Sequence, residues 1–184
     1  VQYVEVEKKY AVADVEALKT RLRRLGGKPG EPTHQVDQYF NAPHRDFLAP
    51  DAISEWFRVR TDERGSSINY KRWLPVDAIT KTHADEFESM VDDVEAVRRM
   101  LQMLDFLPLV TVDKTREEWT MPTVEVAFDQ VLHAGDFVEF EFKGDADSVE
   151  EATARLDEFI AGLNVELGER IDRGYPHMLI GREH

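Results

Sequence analysis

The chain of 184 residues has no cysteine, which excludes a disulfide scaffold and thiolate chemistry and agrees with a cytoplasmic location. It also lacks long apolar runs. None approaches the ~20 residues needed to span a bilayer. The start of the sequence shows no basic stretch followed by an apolar core, so neither a membrane span nor a signal peptide is expected. Positive charge is in the minority, with 23 Lys and Arg against 37 Asp and Glu and a formal net charge of −14. That excess of acid argues against nucleic acid and membrane partners. It leaves room for a small anion in a locally basic pocket. The six histidines (His34, His44, His83, His133, His177 and His184) show no zinc-type spacing. No low-complexity segment or linker divides the chain, so one domain over 1–184 is expected.

What is present begins with a motif that occurs twice. Glu5-Val6-Glu7-Lys8-Lys9 and Glu139-Phe140-Glu141-Phe142-Lys143 both read Glu-x-Glu-x-Lys. Side chains on a strand alternate faces with period two. Each copy therefore presents two carboxylates and an ammonium on one face. The other face carries mostly apolar residues: Val4, Val6 and Tyr10 in the first copy, Val138, Phe140 and Phe142 in the second. Adjacent carboxylates repel, and a hard divalent cation with its preference for oxygen ligands is a natural use for them.

The rest of the chain reads as antiparallel strands with three helices between them, an α+β pattern. Strands are predicted over 1–10, 35–41, 55–61, 67–73, 84–90, 109–120, 123–128 and 136–143. Asp14 is positioned to cap a helix whose apolar stripe is Val15, Leu18, Leu22 and Leu25, ending at Gly26-Gly27. Asp92 with Glu95, and Ser148 with Glu151, have the spacing of capping boxes. The second helix would turn Val94, Val97, Leu101 and Leu104 inward, and the third Ala152, Leu156, Phe159, Ile160 and Leu163. The tail over 174–180 is short and apolar, with Tyr175.

Five strands carry like-charge pairs at i, i+2: Glu5/Glu7, Arg58/Arg60, Glu86/Glu88, Lys114/Arg116 and Glu139/Glu141, with Asn69/Lys71 as a further basic position. Any one of these pairs is ordinary on a solvated sheet face. Together they are not, because a solvated face usually mixes signs and like charges close together are unfavourable. If the sheet closes, these faces share one lumen. Arg58, Arg60, Lys71, Lys114 and Arg116 would then hold a polyanion, and Glu5, Glu7, Glu139 and Glu141 would hold cations. Such a lining suits a triphosphate bound with divalent metals. Glu86 and Glu88 would orient the basic residues. Lys143 suits a lumen cation and a solvated strand end equally. Trp56, Trp73 and Trp119 read as packing residues, Trp73 with a second option as a base-stacking residue.

These residues, in this order, resemble the CYTH or triphosphate tunnel metalloenzyme superfamily. The similarity extends to its class IV adenylyl cyclase branch through Gln35-Val36-Asp37-Gln38-Tyr39-Phe40, Phe57-Arg58-Val59-Arg60, Lys114-Thr115-Arg116, Asp129-Gln130-Val131 and Gly174-Tyr175-Pro176-His177. The resemblance implies an eight-stranded antiparallel β-barrel, or tunnel, flanked by α-helices. It implies two Mg or Mn ions as cofactor, ATP or another triphosphate as substrate, and a homodimer. Carried over residue by residue, it assigns metal binding to Glu5, Glu7, Glu139 and Glu141. Phosphate binding falls to Lys9, Arg58, Arg60, Lys71, Lys114 and Arg116, and a place near the metal or nucleotide to Asp129. Glu55-Trp56-Phe57-Arg58 and Asn69-Tyr70-Lys71-Arg72-Trp73 depart from the branch pattern, at the end of the tunnel where a base would bind.

The implied reaction is cyclisation of ATP, with attack of the ribose 3′-oxygen on the α-phosphorus and loss of pyrophosphate. Catalytic roles then fall to Lys9, Lys71, Lys114, Arg116 and Asp129. Lys9, a metal-bound hydroxide and Asp129 are the alternatives for the general base. A triphosphatase acting on tripolyphosphate, thiamine triphosphate or a nucleotide would use the same residues with water as nucleophile. A polyphosphate-binding module without turnover is the third reading, disfavoured by the presence of the carboxylates.

Overall fold

The computed structural model of the chain describes residues 4–180, so positions 1–3 of the predicted first strand lie outside the described residues. Ten strands form one antiparallel sheet. They are β1 (Val4–Glu5), β2 (Glu7–Ala11), β3 (Lys28–Pro29), β4 (Thr33–Asn41), β5 (Glu55–Asp62), β6 (Gly65–Leu74), β7 (His83–Val91), β8 (Leu107–Thr120), β9 (Val124–Val131) and β10 (Gly135–Phe142). The order is β1-β7-β6-β5-β4-β8-β9-β10-β2, with β3 attached to β8. The two ends of this order are pieces of one segment, interrupted only at Val6. Glu5 pairs with Ala84 of β7, while Lys9 pairs with Glu139 of β10. The N-terminal segment thus joins both edges and rolls the sheet into a barrel-like tunnel. Counted as one strand, with β3 set aside, it gives the expected eight.

Alternation sorts the side chains as period two requires. Outward-facing Val6, Trp119, Val124, Val126, Phe128, Val138 and Phe140 pack with Leu18 and Leu22 of α1 (Val15–Arg24) and with Ala152 and Leu156 of α3 (Val149–Gly162). On the opposite side, Phe40 and Val59 pack with Leu101 of α2 (Val94–Met103). A helix on each side keeps apolar strand faces dry, so the polar faces are left to point inward. No helix among the described residues is long and apolar enough to cross a membrane.

The caps fall close to expectation. Asp14 accepts a hydrogen bond from Ala17 N, and Ser148 Oγ accepts one from Glu151 N. The second helix differs by one residue: Asp93, not Asp92, is the cap and accepts from Ala96 N. Leu104 and Leu25, expected inward, are 61% and 42% exposed, because each sits at a helix C-cap where the apolar stripe has already run out. The apolar tail is a short helix, α4 (Tyr175–Leu179), with Pro176 in its first turn. Tyr175 and Leu179 are buried against Tyr39, Trp56, Val110, Val112 and Phe137, so α4 plugs one end of the barrel. Gly174 leads into α4 in close contact with Trp56, where a Cβ would lie 3.3 Å from the indole nitrogen.

Candidate active site

The lumen holds a cavity of about 230 Å³ lined by seven cations and eight carboxylates. Ten of the eleven residues singled out from the sequence line it: Glu5, Glu7, Lys9, Arg58, Arg60, Lys71, Lys114, Arg116, Glu139 and Glu141. Glu86, Glu88, Lys143, Trp56 and Trp73 join them, whereas Trp119 is fully buried in the outer core. Asp129 does not line the cavity. It lies behind Arg116, 1% exposed.

The arginines are aimed by buried aspartates directly across a strand pair. Asp37 of β4 is opposite Arg60 of β5, and Asp129 of β9 is opposite Arg116 of β8. Arg60 Nε and Nη2 donate to the two oxygens of Asp37 at 2.6 and 2.8 Å. Arg116 donates to both oxygens of Asp129, through Nε at 2.7 Å and Nη2 at 2.5 Å, and through Nη2 also to Glu139. These forks fix the plane of each guanidinium. Burial alone would raise the pKa of both aspartates. Arg58 and Arg60 outweigh it at Asp37, and Arg116 and Lys114 at Asp129, so both are held below the usual carboxylate range. Neither aspartate's role in aiming a cation was identified from the sequence.

Arg58 is less fully engaged. It reaches Asp37 at 3.6 Å, Glu86 at 3.8 Å and the Tyr39 hydroxyl at 3.4 Å, and its Nε is buried with no hydrogen-bond partner. A buried donor left unmatched is costly, and an anion in the lumen would satisfy it.

Tyr175 forms the floor. Its hydroxyl donates to Asp129 at 2.7 Å, and its ring lies under the ammonium of Lys9 at 4.0 Å and that of Lys114 at 5.1 Å. Lys9 also pairs with Glu139 at 3.1 Å and donates to the Arg173 carbonyl at 3.4 Å. Lys114 is 3% exposed. Burial, followed by the neighbouring Arg116, lowers its pKa to about 8, against the opposing pull of Asp129 at 3.5 Å.

The carboxylates cluster on the wall where the N-terminal segment closes the barrel. Glu7 pairs directly with Glu141, which in turn pairs with Glu125, giving three glutamates in a row across three strands. Like charges directly opposite are unfavourable. Burial and then Glu7 push Glu5 well above the carboxylate range, despite Lys71. Burial also raises Glu141, against the opposing pull of Lys143. Glu139 behaves in the opposite way: Arg116, Lys9 and Lys114 overcome its burial and hold it well below that range. Lys71 reaches into the cluster, pairing with Glu5, with Glu7 at 3.1 Å and with Glu86 at 4.0 Å. As the side chains stand, no group of three or more His, Cys, Asp or Glu among the described residues is arranged to hold a metal ion. Glu86 accepts from Asn69 at 2.7 Å, and Glu88 accepts from Ser67 at 2.8 Å.

A barrel with cations aimed inward on one wall and carboxylates massed on another belongs to the class of polyanion-binding tunnels. The CYTH domain matches residues 4–175, and the chain belongs to this family of triphosphate-processing enzymes. It is similar to the protein named "Putative adenylate cyclase MJ0240" of Methanocaldococcus jannaschii, with 29% identity over 173 residues, 94% of this chain and 96% of that one. Among solved structures it resembles the PH1012 protein of Pyrococcus horikoshii, with a TM-score of 0.78, 25% identity and coverage of 94% and 98%. A Hippeastrum protein described as a "putative adenylyl cyclase" with a dominant triphosphatase activity shares the fold at a TM-score of 0.63 and 14% identity, with 99% of each chain covered.

The Asp37–Arg60 fork has a measurable consequence. Removing one partner of a buried ion pair costs about 3–5 kcal/mol, so Asp37→Asn is expected to lose roughly that much stability at pH 7 in urea unfolding. The pKa of Asp37 is depressed on folding. Its contribution is therefore present above the unfolded pKa of about 3.9 and is lost as pH falls through the folded value. The deficit of Asp37→Asn against the wild type should shrink below about pH 4. A deficit that stays constant down to pH 2 would contradict the assignment.

Proposed function

We propose that the protein binds ATP with its triphosphate in the lumen and converts it to 3′,5′-cyclic AMP and pyrophosphate. The observation that carries this reading is the row of lumen cations, Arg58, Arg60, Lys114 and Arg116, facing the glutamate wall inside one barrel. The similarity to a relative named as an adenylate cyclase supports the choice of reaction.

The family generally uses a divalent metal, and the donor set fits one. Glu5, Glu7, Glu139 and Glu141 offer the oxygen ligands that Mg or Mn prefers, and the elevated Glu5 and Glu141 mark a surplus of negative charge that a cation would relieve. A bound ion would supply Lewis-acid stabilisation of phosphate oxygens. The chain's own groups do the rest. Arg60 and Arg116, fixed by their aspartates, present preorganised donors to the phosphates, and Arg58 contributes its unmatched Nε. Such donors stabilise charge that grows on the departing pyrophosphate without reorganising. Asp129 acts by holding Arg116 and Tyr175 in place. Lys114 is the group suited to accept the proton of the 3′-hydroxyl, because a pKa near 8 leaves a neutral fraction at physiological pH. As the new 3′-oxygen–phosphorus bond forms, the bond from the α-phosphorus to the pyrophosphate oxygen breaks.

The lining, charged almost throughout, also suits a triphosphatase in which water attacks the terminal phosphorus. Product chromatography separates the two readings. With Mg or Mn, ATP should give cyclic AMP and pyrophosphate. Orthophosphate from ATP or tripolyphosphate with no cyclic nucleotide would replace cyclisation by hydrolysis in the same site.

The cation role of Lys114 is tested by binding. A hydrogen bond to a charged group is worth about 1.5–3 kcal/mol, so Lys114→Ala should weaken tripolyphosphate binding by about 10- to 100-fold and leave adenosine binding unchanged. The wild-type affinity for tripolyphosphate should fall as pH rises past about 8, where Lys114 loses its charge. Equal tripolyphosphate affinity before and after the substitution would contradict the tunnel reading.

A further inference from the structure

Lys71 differs from Arg60, Arg116 and Lys9 in what holds it. Arg60 and Arg116 are forked to aspartates that lie behind the lining, and Lys9 is anchored partly by the Arg173 carbonyl and the Tyr175 ring. Lys71 stands instead between the two carboxylates of the first Glu-x-Glu pair, Glu5 and Glu7, with Glu86 at 4.0 Å as its outer partner. Its ammonium also rests on the face of Trp73, 4.4 Å from the ring centroid. It is where a cation shared by Glu5 and Glu7 would stand.

A single ammonium is a poor match for this position. One positive charge can compensate one of the two carboxylates. Glu7 also faces Glu141 across the strand pair, so the wall keeps an excess of negative charge. A divalent ion compensates both carboxylates at once and offers more coordination directions than an ammonium. The lysine stem is flexible and its three donors rotate freely, unlike the fixed fork of an arginine. The forks of Arg60 and Arg116 fix those two guanidinium groups, whereas nothing of that kind fixes the Lys71 ammonium.

We propose that Lys71 is a displaceable internal counter-ion. It occupies the Glu5–Glu7 pair until a divalent ion takes that place, and the released ammonium then becomes available to the triphosphate. This rests on the reading of Glu5 and Glu7 as metal ligands. Metal must compete with Lys71 in the empty tunnel, while triphosphate draws Lys71 away and so favours metal. The coupling is reciprocal: each ligand raises the affinity for the other by the same factor.

The test measures binding of Mn²⁺ alone to the full chain, without any triphosphate, by the electron paramagnetic resonance signal of free Mn²⁺. Lys71→Met removes the competitor and should bind Mn²⁺ about tenfold more tightly than the wild type, within the usual range of about 5- to 150-fold for coupled sites. Lys71→Arg keeps a cation between the carboxylates and should not show this gain. Lys71→Gln serves the same purpose as the methionine variant should that one fail to fold. Equal or weaker Mn²⁺ binding by Lys71→Met or Lys71→Gln, with the wild type still binding, would overturn the counter-ion role and leave the metal assignment standing. No Mn²⁺ binding by the wild type or by the variants would overturn the metal reading of Glu5 and Glu7, and this inference with it.

Discussion

Two aspartates that never reach the lumen govern what the lumen can do. Asp37 and Asp129 are each essentially inaccessible, and each holds an arginine from the neighbouring strand by a two-point fork. Without them, Arg58, Arg60, Lys114 and Arg116 would be four neighbouring cations with no buried counter-charge behind them. Repulsion and loss of hydration would then drive them apart or discharge them. With them, Arg60 and Arg116 are held pointing into the lumen. The forks also remove rotational freedom from the guanidinium groups before any ligand arrives, so that binding an anion costs less ordering. Lys114 has no fork, and burial, followed by the neighbouring Arg116, lowers its pKa to about 8.

The second constraint is closure. One N-terminal segment pairs with β7 on one side and β10 on the other, and this brings Glu5 and Glu7 onto the wall that already carries Glu139 and Glu141. The resulting register sets Glu7 opposite Glu141, an arrangement a sheet would avoid if stability alone were at issue. The same closure puts Lys9 opposite Glu139, so the two copies of the Glu-x-Glu-x-Lys motif lie side by side and antiparallel. Their lysines are treated differently: Lys9 stacks over Tyr175 on the plugged side, and Lys143 pairs with Glu141 at 2.5 Å while remaining half-exposed.

Period-two alternation carried most of what could be read in advance. Like-charge pairs at i, i+2 face a common interior only if the sheet closes, and ten of the residues chosen on that pattern do line one cavity. The pattern could not reveal Asp37 as an anchor, because a lone acid between Val36 and Gln38 looks like any solvated strand position. Its partner Arg60 is 23 residues away and becomes a neighbour only through the β4–β5 register. Tyr175 was visible as part of an apolar tail, but its place under two lysines depends on α4 entering the barrel end. The break at Val6, which lets one segment serve two edges, leaves no mark on the alternation at all. Neighbouring Asp92 and Asp93 can both cap a helix, and because the helix starts at Val94 the cap is Asp93.

Whether the triphosphate occupies the lumen is tested directly by a crystal structure with Mn²⁺ and a non-hydrolysable ATP analogue. The predicted result is phosphate density among Arg58, Arg60, Lys114 and Arg116, with anomalous Mn²⁺ peaks against the wall of Glu5, Glu7, Glu139 and Glu141. An analogue bound outside the barrel, or inside it with no Mn²⁺ at that wall, would contradict it.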